Sequence, residues 1–131
     1  MSKTQLSARE LAIGWIEAWN RMDMRWLRAH LSTEFVHTSP FGRLAGREDY
    51  LAAVEPMARK SVRELRIIRT IADGAEAAVW FENGTPRGAV PSCDWVIVEN
   101  GLIKEIRSFY DTVAIREILS PQDQTSLDEA R

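Results

Sequence analysis

The sequence has little of what several classes of protein require. Its 131 residues include one cysteine, Cys93, and two histidines, which excludes an internal disulfide and a thiolate metal cluster and argues against a metal site. Seventeen Lys and Arg stand against 19 Asp and Glu, and no basic block marks a nucleic-acid-binding or polybasic membrane surface. No apolar run approaches the roughly 20 residues that span a bilayer, and residues 1–10 lack the apolar core of a signal peptide. We expect a cytoplasmic protein without metal, cofactor, nucleic-acid or membrane partner.

What is present is typical of one folded domain. Hydrophobic residues make up 45% of the chain and charged residues 27%, values common in globular proteins. A chain of this length can bury a single substantial core. We expect one domain over residues 1–119, followed by a polar tail over residues 120–131.

The first half of the chain is predicted to be mostly helical. Ser7 and Glu10 fit a capping box, and apolar residues then recur at helical spacing. Asp23 is a suitable N-cap for a second, short helix. The remaining elements of this half are a short strand over residues 35–37, which ends in a turn, and a helix over residues 47–59 that Pro56 should shorten or kink.

In the second half, the spacing of the apolar residues changes to one typical of strands. Four strands are predicted, over residues 62–72 and 75–82, then up to residue 99, and over residues 102–110. Asp73-Gly74 and Asn100-Gly101 form turns, whereas residues 83–88 form a longer connection. A last helix runs from Thr112 to Leu119. Because the helices come first and must cover one face of the sheet, the predicted class is α+β with a strongly curved antiparallel sheet.

Three segments carry a resemblance to a known family: residues 15–23 (WIEAWNRMD), residues 36–42 with 46–48, and residues 99–103 running into 109–111. Their order and spacing resemble the SnoaL-like branch of the nuclear transport factor 2-like superfamily, over about residues 8 to 119. The resemblance implies a cone, in which a curved sheet wraps around the N-terminal helices and encloses an internal apolar pocket. It also implies a homodimer that pairs through the open face of the sheet. Members include polyketide cyclases, steroid isomerases, epoxide hydrolases, dehydratases and binding domains without chemistry, so the fold alone does not choose a function.

Asp94 is the first candidate for chemistry, because a carboxylate is out of pattern in the apolar strand over residues 93–98. An unpaired buried charge is unfavourable, so such a residue is paired, neutral or on the open face. Its position before the Asn100-Gly101 turn resembles that of the protonated aspartate of steroid isomerases. That aspartate donates a hydrogen bond to a developing oxyanion.

The length of the hairpin turn decides what faces Asp94. A two-residue loop would place Asp94 opposite Arg107, and the resulting ion pair would make Asp94 structural. A three-residue loop with a bulge would place it opposite Ile106, on one face with Ser108 and Tyr110. The family resemblance favours the second register.

His37 and Asp111 are further candidates. His37 lies near the mouth of the expected pocket, where it could act as a general base or be a partly exposed histidine at a strand end. In the SnoaL-like cyclases an aspartate near the end of this sheet acts as acid/base, which implies that role for Asp111. Asp111 is equally suited to cap the helix that starts at Thr112.

The aromatic residues could line a pocket for a flat or polycyclic ligand, or they could simply form core. The tyrosine hydroxyls among them could bind a substrate oxygen. The candidates are Trp15, Trp19, Phe41, Tyr50, Trp80, Trp95 and Tyr110.

The leading hypothesis is a small cofactor-independent enzyme that transfers a proton next to a carbonyl of an apolar or polycyclic substrate. Isomerisation, aldol-type cyclisation and dehydration are reactions of this type. His37 is the expected base, Asp94 the hydrogen-bond donor or second acid, and Asp111 the alternative acid/base. Steroid isomerase chemistry in its usual form is not expected, because Thr38 or Ser39 stands near the position of that family's base. The alternative is a non-catalytic small-molecule-binding or association domain.

Overall fold

The computed structural model describes residues 5–62 and 64–118; Leu119 and the predicted tail over residues 120–131 lie outside these ranges. The α+β prediction is confirmed, with N-terminal helices packed on a curved sheet of six strands in the order β2-β1-β6-β5-β4-β3. The helices are α1 (Ala8–Arg21), α2 (Met24–His30), α3 (Arg47–Ser61) and α4 (Thr112–Ile118). The strands are β1 (Leu31–Ser39), β2 (Gly42–Ala45), β3 (Glu64–Asp73), β4 (Glu76–Thr85), β5 (Gly88–Glu99) and β6 (Leu102–Tyr110).

Helix α1 begins at the predicted capping box. The Ser7 hydroxyl accepts a hydrogen bond from the Glu10 amide at 3.1 Å, and the Glu10 carboxylate accepts one from the Ser7 amide at 2.9 Å. The helix lies across β3, β4 and β5, so the sheet face beneath it, here called the inner face, is the one that holds the core. The α1 residues buried against it include Leu11, Ala12, Trp15, Ile16 and Trp19.

Helix α2 packs closely beside α1. The Asp23 carboxylate caps it as predicted, accepting a hydrogen bond from the Trp26 amide at 3.0 Å. The Trp26 indole occupies the space where a side chain at Gly14 would lie, since a Cβ built there would overlap the Trp26 Cζ2 and Cη2 atoms. Gly14 therefore allows the two helices to approach each other. None of the described helices is long and apolar enough to cross a bilayer.

The first strands differ most from the prediction. β1 is nine residues long instead of three, and it pairs antiparallel with β2, a strand that was not predicted. On its other side β1 pairs parallel with β6, so the sheet is not wholly antiparallel. The pairing of β1 with β6 joins segments far apart in the chain, which a local hydrophobic pattern cannot reveal.

Two further boundaries are corrected. Pro56 lies inside α3 and does not shorten it, as the continuation of the helix to Ser61 shows. Residues 83–88 are not a long connection: β4 extends to Thr85 and β5 starts at Gly88, opposite it. The Thr85 hydroxyl stabilises this tight turn by donating to the Gly88 carbonyl at 2.7 Å and accepting from the Arg87 amide at 3.2 Å.

The β5–β6 hairpin adopts neither expected register at Asp94. Asn100 and Gly101 have φ angles of 53° and 77° and form a two-residue turn, with Glu99 opposite Leu102. The register then shifts beside Ile97, and beyond the shift Asp94 pairs with Ser108. Asp94 therefore faces neither Arg107 nor Ile106. A bulge placed after the turn, and not within it, sets the register.

Candidate functional site

A cavity lies between the helices and the inner face of the sheet. Its outer part has a volume of about 190 Å³ and its inner part about 160 Å³. The two parts are continuous, because they share six lining residues: His37, Val54, Ala58, Val62, Asn83 and Tyr110. Most of the wall is apolar or aromatic, which suits a ligand of the same character.

Three polar side chains form a row across the inner part of this cavity, one from each of three neighbouring strands. Asp94 on β5 pairs with Ser108 on β6, and the Ser108 Oγ lies 2.9 Å from the Nε2 of His37 on β1. The row depends on the parallel pairing of β1 with β6, which places His37 beside Ile106. We call these three residues the polar row.

The carboxyl group of Asp94 is buried without a cation. Asp94 is 5% exposed, and its Oδ2 accepts a hydrogen bond from the Trp15 indole N–H at 2.7 Å. No basic side chain within residues 5–62 and 64–118 pairs with it, and Arg107 instead bonds Glu105 at 2.8 Å on the exposed surface. Burial raises the pKa of Asp94 to about 6, against the lowering effect of hydrogen bonds from Ser108 and Trp15. The carboxyl group therefore changes its charge close to neutral pH.

The pKa of the His37 imidazole is shifted in the opposite direction from that of Asp94. Burial lowers the pKa of His37 to about 4, because the charged ring would lose its hydration. The ring is therefore neutral at neutral pH. The Ser108 hydroxyl, between an imidazole and a carboxyl group, can accept a hydrogen bond from one of them while it donates to the other.

Tyr50 supplies a neutral hydroxyl to the inner part of the cavity. Its ring is 2% exposed and lies 5.0 Å from the His37 ring and 6.0 Å from the Trp15 ring. Burial, together with the nearby Asp94, raises the pKa of Tyr50 well above its usual value, while a hydrogen bond from Trp19 acts in the other direction. Because the Trp19 indole can only donate, the Tyr50 oxygen is the acceptor and its own proton is left to donate.

Phe41 and Tyr110 line the outer part of the cavity. Their ring centroids are 5.9 Å apart, and the Arg116 guanidinium lies 4.9 Å from the centroid of Phe41. Burial raises the pKa of Tyr110, and a hydrogen bond from Ser39 lowers it. The structure thus brings Trp15, Trp19, Phe41, Tyr50 and Tyr110 to one cavity together with His37 and Asp94.

Three predicted candidates lie outside the cavity. Asp111 is exposed, and its carboxylate accepts from the Val113 amide at 2.9 Å and the Ala114 amide at 3.4 Å, so it caps α4. Trp80 does not line the cavity: it is 49% exposed on the outer face, because strand alternation turns it away from its buried neighbours. Trp95, 46% exposed, also lies on that face.

Sequence reasoning missed Asn83 as a residue of the cavity. It placed Ser108 on one face with Asp94 and Tyr110, as the structure has it, but did not propose Ser108 as a site residue. Asn83 was assigned to a connection, whereas it continues β4 and lines both parts of the cavity. The alternation from Val79 through Phe81 to Asn83 would have placed it on the inner face had the strand been extended. The register shift beside Ile97 places Ser108 directly opposite Asp94, a pairing that neither expected register gave. In the described part of the chain, no group of three or more His, Cys, Asp or Glu side chains could hold a metal ion.

The comparisons with known proteins agree with this architecture. The family model described as SnoaL-like domain matches residues 12–106. Comparison with curated proteins gives no match.

Three solved structures illustrate the shared fold. A protein from Kribbella flavida is 24% identical with a TM-score of 0.76, covering 94% of this chain and 98% of its own. A putative ketosteroid isomerase from the same organism is 23% identical with a TM-score of 0.70, covering 79% and 77%. A putative polyketide cyclase from Pseudomonas putida is 24% identical with a TM-score of 0.69, covering 88% and 99%.

Proposed function

The chain belongs to the SnoaL-like domain family, and on this basis we propose that it is a small cofactor-independent enzyme that transfers a proton next to a carbonyl group. Its substrate is an apolar or polycyclic compound, and the reaction is of the isomerase, cyclase or dehydratase type. The putative polyketide cyclase and the putative ketosteroid isomerase of the same fold are consistent with this class.

The observation that carries the proposal is the polar row in the wall of an otherwise apolar cavity. Asp94 and His37 have pKa values displaced in opposite directions, to about 6 and about 4. Burial brings the pKa of the Asp94 carboxyl group close to neutral pH, and no basic side chain of the described residues pairs with it. Such groups are concentrated at sites of acid–base catalysis.

The two pKa values favour Asp94, and not His37, as the base. A proton added to the polar row is held more tightly by the group of higher pKa, and a base whose pKa lies near the working pH is the more effective one. In the proposed step the Asp94 carboxylate takes the proton of the C–H bond next to the carbonyl. The electron pair of that bond moves into the carbonyl group to give an enolate. Neutral His37 holds the Ser108 hydroxyl in place.

Tyr50 is the proposed donor to the enolate oxygen. It lines the inner part of the cavity with Asp94, and its pKa, raised by burial, keeps the phenol protonated. A donor already oriented by Trp19 stabilises developing charge without reorganising. Return of the proton from Asp94 to another atom of the enolate completes an isomerisation. Attack of the enolate carbon on a second carbonyl forms an alkoxide, and return of the proton from Asp94 to that oxygen completes a cyclisation.

The proposal can be tested without knowing the substrate. We would incubate a bicyclic ketone, α-tetralone, in deuterium oxide and follow by NMR the exchange of the hydrogens next to its carbonyl. The wild-type protein should accelerate the exchange, and Asp94→Asn should reduce the acceleration by on the order of 100-fold. Asp73→Asn is the matched control, because Asp73 is an exposed carboxylate at the end of β3 and lines neither part of the cavity. No acceleration by the wild type, or full acceleration in Asp94→Asn, would refute the mechanism.

The second candidate is a binding domain without chemistry. The observation that favours it is the large apolar share of the cavity wall, which would hold a ligand without the polar row. The same experiment separates the two functions. A binding domain would hold the ketone with equal affinity in the wild type and in Asp94→Asn, and neither protein would accelerate the exchange.

We also propose that the protein forms a homodimer through the outer face of the sheet. Ile71, Trp80, Trp95 and Phe109 are all exposed there, by 62%, 49%, 46% and 53%. These four residues form one patch. Across neighbouring strands, Ala78 lies between Ile71 and Trp95, and Cys93 lies between Trp80 and Phe109. Exposed apolar patches of this kind mark contact surfaces, and a second copy of the chain offers a matching one.

A further inference from the structure

Asn83 is a polar residue on the apolar inner face of β4. Its neighbours on the same face, Phe81 and Val79, are buried core residues. The Asn83 Oδ1 is itself buried, and no described residue donates a hydrogen bond to it. The side chain lies at the junction of the two parts of the cavity, since it lines both.

A buried carbonyl oxygen without a donor is unfavourable, because it has lost its hydrogen bonds to water and gained none in return. Most such groups in folded proteins have a partner. Because this oxygen lines a cavity, a ligand can supply the donor that the protein does not. A ligand hydroxyl is the simplest group that fits, since it brings one O–H to an acceptor while the rest of the ligand remains apolar.

The strand register gives the separation between Asn83 and the polar row. Asp94 on β5 lies directly opposite Val79 on β4, and Asn83 is four residues farther along β4 on the same face. At about 3.3 Å per residue, the two positions are separated by about 13 Å along the strands. A ligand whose reacting C–H bond lies at Asp94 while its hydroxyl group reaches Asn83 must have a skeleton larger than a single ring.

We propose that Asn83 is a specificity-determining residue that accepts a hydrogen bond from a hydroxyl group at the far end of the substrate. The substrate class is thereby narrowed to fused-ring ketones that carry a distal hydroxyl. The inference deepens the proposed function, on which it rests for the position of the reacting carbonyl. The inference concerns binding. The Asn83 hydrogen bond can therefore be refuted while the proton transfer by Asp94 is confirmed, and the proton transfer can be refuted while the Asn83 hydrogen bond is confirmed.

The test compares two probes that differ by one hydroxyl group. These are α-tetralone and its derivative with a hydroxyl on the aromatic ring, para to the carbonyl. Binding is followed by quenching of tryptophan fluorescence, since Trp15 and Trp19 line the inner part of the cavity. The wild type should bind the hydroxylated probe about tenfold more tightly. Asn83→Leu, which keeps a similar volume without hydrogen-bonding groups, should bind both probes equally.

Thr70→Val is the matched control. The Thr70 Oγ1 is also buried without a partner, but Thr70 lines neither part of the cavity. Its replacement should leave the tenfold preference intact. Equal affinity of the wild type for the two probes, including no binding of either, would overturn the inference. So would a preference that survives in Asn83→Leu or disappears to the same extent in Thr70→Val.

Discussion

The indole nitrogen of Trp15 lies 2.7 Å from a carboxylate oxygen of Asp94, although 79 positions separate the two residues. The contact joins α1 to β5 at the inner part of the cavity. It is one of two hydrogen bonds that lower the pKa of Asp94 against the larger effect of burial. The first helix therefore contributes to the pKa of a carboxyl group on the opposite wall.

Trp15→Phe should raise the pKa of Asp94 above about 6, because it removes a donor that favours the charged carboxylate. An NMR titration of the Asp94 carboxyl measures this directly. Trp19→Phe is the control, since Trp19 donates to Tyr50 instead. An Asp94 pKa that is unchanged in Trp15→Phe would mean that the hydrogen bond does not tune the carboxyl group.

Ser108→Ala should slow the exchange of the ketone hydrogens on the order of tenfold, because the mutation removes the hydroxyl that joins Asp94 to His37. It should also shift the pH profile to higher pH, since the Ser108 hydrogen bond lowers the pKa of Asp94. Ser32→Ala should change neither property, because Ser32 lines neither part of the cavity. A loss of rate without any movement of the profile would point to a purely structural role for Ser108.

The stability of the folded protein should depend little on pH between about 4 and 6, because two titrations oppose each other. Asp94 has a pKa raised from 3.8 to about 6, so its contribution to stability is lost as the pH rises through this range. His37 has a pKa lowered from 6.5 to about 4, so its contribution is lost as the pH falls through the same range. Each contribution amounts to at most about 3 kcal/mol, at about 1.4 kcal/mol per pKa unit.

Single substitutions should reveal how much each of these two residues contributes to the pH dependence of stability. In Asp94→Asn the free energy of unfolding should rise with pH across this range, whereas in His37→Gln it should fall. Urea denaturation at several pH values measures both slopes. Slopes of the same sign in the two variants would contradict the opposed pKa shifts.

Trp95→Lys should convert the proposed dimer into a monomer of 14.9 kDa, because a charged side chain on the outer face would be buried at the interface without a partner. Sedimentation equilibrium measures the mass of each variant. Val113→Lys is the control, since Val113 is 64% exposed on α4 and lies off the sheet. A wild-type protein that sediments as a monomer would refute the dimer itself.

Gly14→Ala should destabilise the fold by about 1–3 kcal/mol, because the added methyl group would overlap the Trp26 ring. In a helix without such a neighbour, the same change usually stabilises by about 1 kcal/mol. Chemical denaturation gives the sign. In the double variant Gly14→Ala with Trp26→Ala, the alanine at position 14 should no longer be destabilising.

The helices and hairpin turns could be predicted because their signals are local. The Ser7–Glu10 capping box, the Asp23 cap and the Asn100-Gly101 turn each depend on residues within four positions of one another. Trp15 could be selected as a candidate because aromatic side chains suit the wall of an apolar pocket, and Asp94 because a carboxylate is out of pattern on its strand. Their contact with each other could not be predicted, since it depends on the path of α1 across the sheet.

The parts that failed depend on pairing between distant segments. The register at Asp94 is set by a bulge beside Ile97, and the residues of the turn do not predict that bulge. The expectation that His37 is the base rested on the ordinary pKa of histidine, which is higher than that of aspartate. Burial moves those values past each other, and burial of a single side chain follows only from the assembled cavity.

The parallel pairing of β1 with β6 also determines when the site is completed during synthesis. His37 and Ser108, which hydrogen-bond to each other, are 71 positions apart, and β6 is the last strand of the sheet. While the ribosome is still making β4, β1 has neither its parallel neighbour nor the hydroxyl that contacts His37. A nascent chain halted before Leu102 would carry the imidazole and the carboxyl group without the strand that joins them.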